Sequence, residues 1–124
     1  MTTPAHALTA TRGAVLTKAT LRAARLLGLT DAALGAILGI SGASISRLGA
    51  GSRAIAPADK EGQLAVLFLR MFRSLDALLG DADSCRAWLH AENSHLGAVP
   101  ADLVRSVEGL VHVAQYLDAM RGKN

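Results

Sequence analysis

Apolar residues recur at intervals of three and four along most of this 124-residue chain, which is the spacing of amphipathic helices. The longest such stripe lies between about Asp59 and Leu79 and stops at Gly80. It consists of Leu64, Leu67, Phe68, Met71, Phe72, Leu75, Leu78 and Leu79. A stripe this broad predicts a helix that joins the parts of one hydrophobic core, and any apolar surface left uncovered is a candidate dimer seam.

Shorter periodic stretches predict further helices on both sides of this one. They cover residues 15–27, a segment through Cys85 and Leu89 that follows an Asp81 or Asp83 cap, residues 101–106 and residues 107–121. Residues 1–13 are small or polar without a sustained period and are expected to form a flexible tail. Only 3% of the residues are aromatic, so aliphatic side chains must fill the core, and the predicted fold class is all-α.

The segment from Asp31 to Leu48, DAALGAILGISGASISRL, has the pattern of a helix-turn-helix. Gly35 allows the second helix to approach the first closely, and Gly39 suits a turn that needs a positive φ. Thr30 and Ser41 stand where the two helices need side-chain N-caps. The apolar residues expected to lock the pair are Leu34, Leu38, Ile40, Ile45 and Leu48. DNA binding is therefore predicted, and the alternative is two ordinary amphipathic helices joined by a glycine turn.

Residues 42–50 are the expected recognition helix, and few of their side chains can reach DNA. The outward positions are predicted to be Gly42, Ala43, Ser44, Ser46 and Arg47. Arg47 is the candidate base reader, while Ser44 and Ser46 are expected to reach bases or phosphates, with Ser41 beside them at the helix start. Because the recognition helix has so few side chains for DNA contact, we expect a homodimer that places two such helices in successive major grooves, about 34 Å apart.

Positive charge is concentrated in the first half of the chain. Residues 1–60 hold seven basic and two acidic side chains, whereas residues 61–124 hold six basic and eight acidic ones. The first half therefore suits a polyanion, and the second half suits a protein partner.

Two arginines of the first half are candidate phosphate contacts in addition to the recognition helix. Arg53 follows that helix in a glycine-rich turn. Arg22 precedes it and shares a predicted helix face with Lys18 and Arg25. For this face, phosphate contact and simple solvation are equally open interpretations.

Little in the sequence supports catalysis, a metal site or a membrane span. The four histidines lack an i, i+4 pair, and no phosphate loop, acid pair or nucleophile motif is present, so no cofactor is expected. A zinc site built from Cys85, His90 and His95 is disfavoured by the loop between them. The single cysteine cannot form an internal disulfide, and neither a leader pattern nor a bilayer-spanning apolar run is seen, so a cytoplasmic location is expected.

The segment CRAWLHAENSHLGAVPADLVRSVEGLVHVAQYLDAMRG, residues 85–122, resembles the toxin-binding domain of the Xre/MbcA/ParS antitoxins. The shared pattern is Trp88-Leu89, Asn93, Leu96-Gly97, Pro100, Gly109, an apolar stripe from Val113 to Leu117, and Gly122. In that family an Xre-like helix-turn-helix precedes the module, as it does here, so the resemblance covers roughly residues 15–122. The chain departs from the pattern at Ala98-Val99, where many members carry Gly-Thr or similar, and in lacking the usual basic residue near Gly49.

The resemblance implies an antitoxin that neutralises a RES-domain toxin, an enzyme that degrades NAD or transfers ADP-ribose from it, by covering its NAD pocket. It also implies binding to operator DNA, through which such antitoxins repress their own operon. The implied toxin-binding residues are Asn93, Leu96, Gly97, Tyr116, Met120, Arg121 and Lys123. Trp88, Leu89 and Pro100 are assigned to shape rather than contact.

The expected organisation is a tail at 1–13, a helix-turn-helix region at 14–58, a connecting core helix at 59–80 and a toxin-binding domain at 81–124. The competing hypothesis is a stand-alone helix-turn-helix transcription regulator whose C-terminal module serves dimerisation or ligand sensing.

Overall fold

Seven α-helices make up the part of the chain that the computed structural model describes, which is residues 4–122, with side chains from residue 10 onward. They are α1 (Pro4–Leu26), α2 (Asp31–Leu38), α3 (Gly42–Ala50), α4 (Lys60–Leu79), α5 (Ala82–His90), α6 (Pro100–Leu103) and α7 (Val107–Gly122). Within these residues no strand occurs, and Asn93 and Ala98 form one isolated β-bridge. The all-α prediction is confirmed.

The first helix begins earlier than the hydrophobic pattern indicates. The expectation of a flexible tail is wrong over residues 4–13, which form the first turns of α1. At the end of this stretch α1 gains a tertiary contact that the pattern does not show, since a Cβ on Gly13 would lie only 2.9 Å from the Ile55 carbonyl oxygen. The buried Thr17 hydroxyl donates to the Gly13 carbonyl at 2.7 Å and accepts from the Ile55 N–H at 2.8 Å. The segment after α3 therefore fastens α1 where its own periodicity is weak.

The helix-turn-helix forms as predicted, with α2 and α3 crossing at 105°. Thr30 Oγ1 accepts from the Ala33 N–H at 3.1 Å, and Ser41 Oγ caps α3. Gly39 has a φ of 73°, and a Cβ on Gly35 would meet the Ile40 carbonyl oxygen at 2.6 Å. Both glycines are thus required by the turn, one for its backbone angle and one for close approach.

The fourth helix is the centre of the molecule. It packs against α1, α2, α5 and α7, most extensively against α7. Its buried apolar residues are Leu64, Ala65, Phe68, Leu69, Met71 and Leu75. They belong to one continuous cluster that also receives residues from the helix-turn-helix and from α7, so the two halves of the chain share a core. Among residues 4–122, no single helix is long and apolar enough to span a membrane. Only α2 and α3 taken together reach that length and apolar composition, and they are bent by 105°.

The C-terminal module consists of α5, a loop, the single turn α6 and α7. The helix expected at residues 101–106 is shorter than predicted and ends at Leu103. Ser106 begins the next element instead, because its Oγ accepts from the Gly109 N–H at 3.0 Å and caps α7. Gly109 packs directly on the end of α6, where a Cβ would lie 1.8 Å from the Leu103 carbonyl oxygen.

Candidate functional site

The outer side of α3 presents Arg47 and Ser46, both exposed. The prediction that Ser44 points outward is wrong, since only 8% of Ser44 is accessible. Its hydroxyl oxygen accepts from Arg47 Nη2 and from Ser41 Oγ, each at 3.0 Å. Ser41 is exposed but its Oγ also accepts from the Ser44 N–H at 3.0 Å, so it serves as the predicted N-cap. Ser44 therefore positions the Arg47 guanidinium instead of offering its own hydroxyl to a ligand.

Arg53 has an internal partner. Its Nη1 and Nη2 donate to the two carboxylate oxygens of Glu61 at 3.0 and 2.8 Å, and the Ala56 N–H also donates to that carboxylate at 3.0 Å. The hydrogen bonds from Arg53 hold the pKa of Glu61 below its ordinary value. This bidentate pair fixes the segment between α3 and α4, so an internal carboxylate holds the guanidinium that is predicted to contact phosphate.

Arg22 lies on the exposed face of α1 together with Lys18 and Arg25, as the spacing predicts. These three side chains line a groove on the surface beside Leu26. The structure therefore brings the α1 cations to one place and leaves them accessible to an anion.

The loop between α5 and α6 is held by Asn93. Its Oδ1 accepts from the backbone N–H groups of His95 and Leu96, both at 3.0 Å. Its backbone N–H donates to the Ala98 carbonyl at 3.0 Å, and its carbonyl accepts from the Gly97 N–H at 2.8 Å. Asn93 and Leu96 are half-buried, and Gly97 is exposed with a φ of 73°. These three predicted toxin-binding residues thus fix the shape of the loop.

An aromatic row stands beside this loop. We use this name for Trp88, Tyr116 and His95, which come from α5, α7 and the loop. The Trp88 and Tyr116 rings are stacked, with centroids 6.5 Å apart and planes at 15°, and the Tyr116 and His95 centroids are 6.2 Å apart at 31°. Trp88 and Tyr116 are half-buried, and His95 is exposed. Trp88 is the only tryptophan of the chain, and Tyr116 is its only tyrosine. The sequence predicts a role in shape for Trp88 and no site role for His95, because nothing in the sequence places the three rings together.

The end of α7 is joined to α4 by a polar network. Asp118 accepts from Ser74 Oγ at 2.7 Å and forms an ion pair with Arg70, while Arg121 Nη1 donates to Ser74 Oγ at 3.2 Å. The hydrogen bond from Ser74 is the main reason that the pKa of Asp118 lies below its ordinary value. Met120 is 38% exposed beside this network. The network holds Arg121 at the surface, and the predicted contact Lys123 lies outside the described residues.

Two further titratable side chains of the C-terminal module, His90 and Cys85, are fixed by a hydrogen bond and by burial, respectively. His90 Nε2 is hydrogen-bonded to the Leu27 carbonyl at 2.8 Å, and Cys85 is buried, which raises the pKa of its thiol. Pro100 is buried at the start of α6, consistent with its assignment to shape. Between residues 4 and 122, no group of three or more His, Cys, Asp or Glu side chains is arranged to hold a metal ion.

Comparison with known proteins gives matches over both halves. The family model of the antitoxin Xre-like helix-turn-helix domain matches residues 6–70, and that of the antitoxin Xre/MbcA/ParS C-terminal toxin-binding domain matches residues 74–123. A solved chain from the M. tuberculosis MbcT–MbcA toxin–antitoxin complex is similar with a TM-score of 0.63 and 31% sequence identity. That similarity covers 86% of this chain and 93% of the other. No curated protein matches the chain.

The two matched domains stand in the order that the resemblance implies, and the first one alone spans more than half of the chain. Neither domain belongs to a class of enzymes. The C-terminal match also favours the antitoxin over a stand-alone regulator, since it is a match to a toxin-binding domain. The chain belongs to the Xre/MbcA/ParS family and is the helix-turn-helix antitoxin of a toxin–antitoxin system, with a protein toxin as its partner.

Proposed function

We propose that this antitoxin neutralises a RES-domain toxin that degrades NAD or transfers ADP-ribose from it, and that its C-terminal module covers the NAD pocket of that enzyme. The observation that carries the proposal is the aromatic row, which lies within the domain matched to toxin binding. The choice of toxin class rests on the resemblance of residues 85–122 to antitoxins of RES toxins.

The aromatic row has the chemistry of an interface anchor. Tryptophan, tyrosine and arginine dominate the residues that contribute most to protein–protein binding, because rigid rings bury a large area at a small entropic cost. The Tyr116 ring is stacked on Trp88 and has the tilted His95 ring as a second aromatic neighbour, so its orientation is set before the toxin arrives. Arg121, held by Ser74 near the end of the same helix, adds a cation for a carboxylate of the toxin.

A competition measurement tests this proposal. The toxin is first identified by its co-purification with the antitoxin from the native host. A variant of this toxin is then produced alone, with a substitution that lets it bind NAD without consuming it. We expect the antitoxin to displace NAD from this toxin competitively. Unchanged NAD affinity at saturating antitoxin would contradict coverage of the pocket.

Three variants locate the contact. His95→Ala and Tyr116→Ala are expected to weaken displacement by about 10-fold or more each, because each removes a ring from the anchor. Gln115→Ala is the matched control, since Gln115 is an exposed neighbour of Tyr116 on the same helix. His95 is exposed on a loop, so His95→Ala keeps the test valid if Tyr116→Ala disturbs folding. Equal displacement by all three variants would exclude the aromatic row as the contact.

We also propose that the helix-turn-helix binds operator DNA and so autoregulates the operon. The exposed Arg47 on α3 and the basic face of α1 support this activity. Replacing Arg47 by alanine is expected to cost about 1–3 kcal/mol of operator binding. Arg105→Ala, which removes an exposed charge between α6 and α7, is the control for net charge. An operator affinity that falls equally in both variants would contradict a specific role for Arg47.

A homodimer completes the proposal. One sparse recognition helix gives weak specificity, and two copies spaced by a helical turn of DNA compensate for it. Val15 on α1 and Val66 on α4 are 64% and 55% exposed within one apolar surface that also includes Leu69. This apolar surface is the seam that we assign to a second copy.

A further inference from the structure

Arg86 of α5 joins the three cations of α1 in one surface groove. Its lining consists of Lys18, Arg22, Arg25, Leu26 and Arg86. Among the described residues no carboxylate lines this basic groove. Arg86 Nη1 lies 3.9 Å from Oδ1 of Asp83, whose side chain is 95% exposed. The groove therefore concentrates four positive charges, of which one comes from the domain matched to toxin binding.

The position of Arg86 relative to α1 is fixed by contacts. Its Nε donates to the Leu26 carbonyl at 3.3 Å, and its side chain lies over Gly28, where a Cβ would be 3.1 Å from Arg86 Cδ. One turn later, His90 bonds to the Leu27 carbonyl at 2.8 Å. These contacts pin α5 to the end of α1, so Arg86 moves with the helix-turn-helix half and not independently of it.

We propose that this groove binds phosphates of the operator DNA, and that Arg86 is a DNA contact located in the toxin-binding domain. The inference rests on the proposed operator binding. Lys18 and Arg25 are seven positions apart, which is about 10 Å along the helix. The charges of one DNA strand recur about every 3.4 Å along the DNA axis, so a face of this length can reach more than one phosphate of a strand. The groove ends at the four-residue link to α2, the helix of the motif that crosses the DNA backbone.

DNA is favoured over an acidic face of the toxin as the ligand of the groove. Three of its four cations lie within residues 6–70, the segment matched to the helix-turn-helix domain. The aromatic row and the end of α7 already provide the C-terminal module with a surface of the composition found in protein interfaces. A basic groove without aromatic side chains has instead the composition that neutralises phosphates.

The test is the salt dependence of operator binding, measured by fluorescence anisotropy between about 50 and 200 mM salt. For Arg86→Ala we expect the slope of log K against log salt to fall by about 1, which corresponds to one lost phosphate contact. Affinity should drop several-fold at low salt, equally for operator and for unrelated DNA. Arg86→Lys should keep the wild-type slope because it keeps the charge. Arg105→Ala should also keep it, because Arg105 is an exposed cation outside both the groove and the apolar surface of α1 and α4.

Each other outcome overturns the inference in a different way. A wild-type slope for Arg86→Ala removes Arg86 from the DNA interface. Equal losses for Arg86→Ala and Arg86→Lys would indicate that Arg86 acts only through its bond to Leu26. Weakened toxin binding with intact DNA binding would make the groove a toxin surface. Failure of the wild-type chain to bind DNA at any salt concentration would overturn operator binding itself, and with it the role of Arg86.

Discussion

Single residues explain which parts of this antitoxin the sequence could predict. Gly39 and the caps at Thr30 and Ser41 act within a few residues of themselves, so the spacing in the sequence was sufficient to predict them. The role of Arg53 was not predictable in this way. Its partner Glu61 lies eight residues away across a turn, and only the folded path of that turn brings the two together. Local chemistry can therefore be predicted from the sequence, whereas pairing across a turn requires the structure.

Close approach at Gly109 predicts a large loss of stability on substitution. In Gly109→Ala the new Cβ would meet the Leu103 carbonyl oxygen at 1.8 Å, so α6 and α7 must separate. We expect the free energy of unfolding to fall by about 2–4 kcal/mol in urea titrations. Gly49→Ala is the control, because no atom lies within 4 Å of its Cβ position and alanine favours a helix, so a gain of about 0.5–1 kcal/mol is expected. Similar effects of the two substitutions would contradict the packing.

The lowered pKa of Glu61 predicts how its contribution changes with pH. A carboxyl whose pKa is lowered by folding stabilises the protein above its unfolded pKa, and this contribution disappears as pH falls through the folded pKa. At pH 7, Glu61→Gln is expected to lower the free energy of unfolding by about 1–2 kcal/mol. The difference from wild type should shrink between about pH 5 and pH 3 in urea titrations. A difference that stays constant with pH would exclude ionic pairing as its source.

At the scale of elements, contacts between distant segments decide what the pattern left open. The first turns of α1 lack a clear stripe, and the contact that follows them, of Gly13 and Thr17 with the segment around Ile55, is one that periodicity does not reveal. The aromatic row depends on three elements meeting, α5, its following loop and α7. The family pattern predicts the loop between α5 and α6. It could not predict the contact of the three rings, since no periodicity relates side chains that lie in different elements.

The apolar surface of α1 and α4 carries the prediction about assembly. Val66→Lys places a charge in the proposed seam and should convert the homodimer to a monomer in sedimentation equilibrium. The fold should be retained, because Val66 is 55% exposed and lysine favours a helix more than valine does. Gln63→Lys adds the same charge one turn earlier on α4, at an exposed position outside the surface, and is expected to remain dimeric. A wild-type chain that is monomeric at all concentrations would refute the seam.

At the scale of the whole molecule, one core carries two surfaces of different chemistry. The basic half offers Arg47 and the α1 cations, and the other half offers the aromatic row and Arg121. Since α4 packs against both halves, we expect a single cooperative transition on thermal unfolding, observed equally by far-UV circular dichroism and Trp88 fluorescence. Two separate transitions would show that the halves fold as independent units.

The central claim is that the chain protects cells by stopping a toxin from consuming NAD. Its most direct test is the NAD content of cells that express the toxin together with wild-type antitoxin, Arg47→Ala or Tyr116→Ala. We predict that wild type and Arg47→Ala restore the NAD content, because Arg47 is exposed on the helix-turn-helix half, and that Tyr116→Ala restores it less well. NAD content that the toxin alone leaves unchanged, or that wild-type antitoxin fails to restore, would contradict the account.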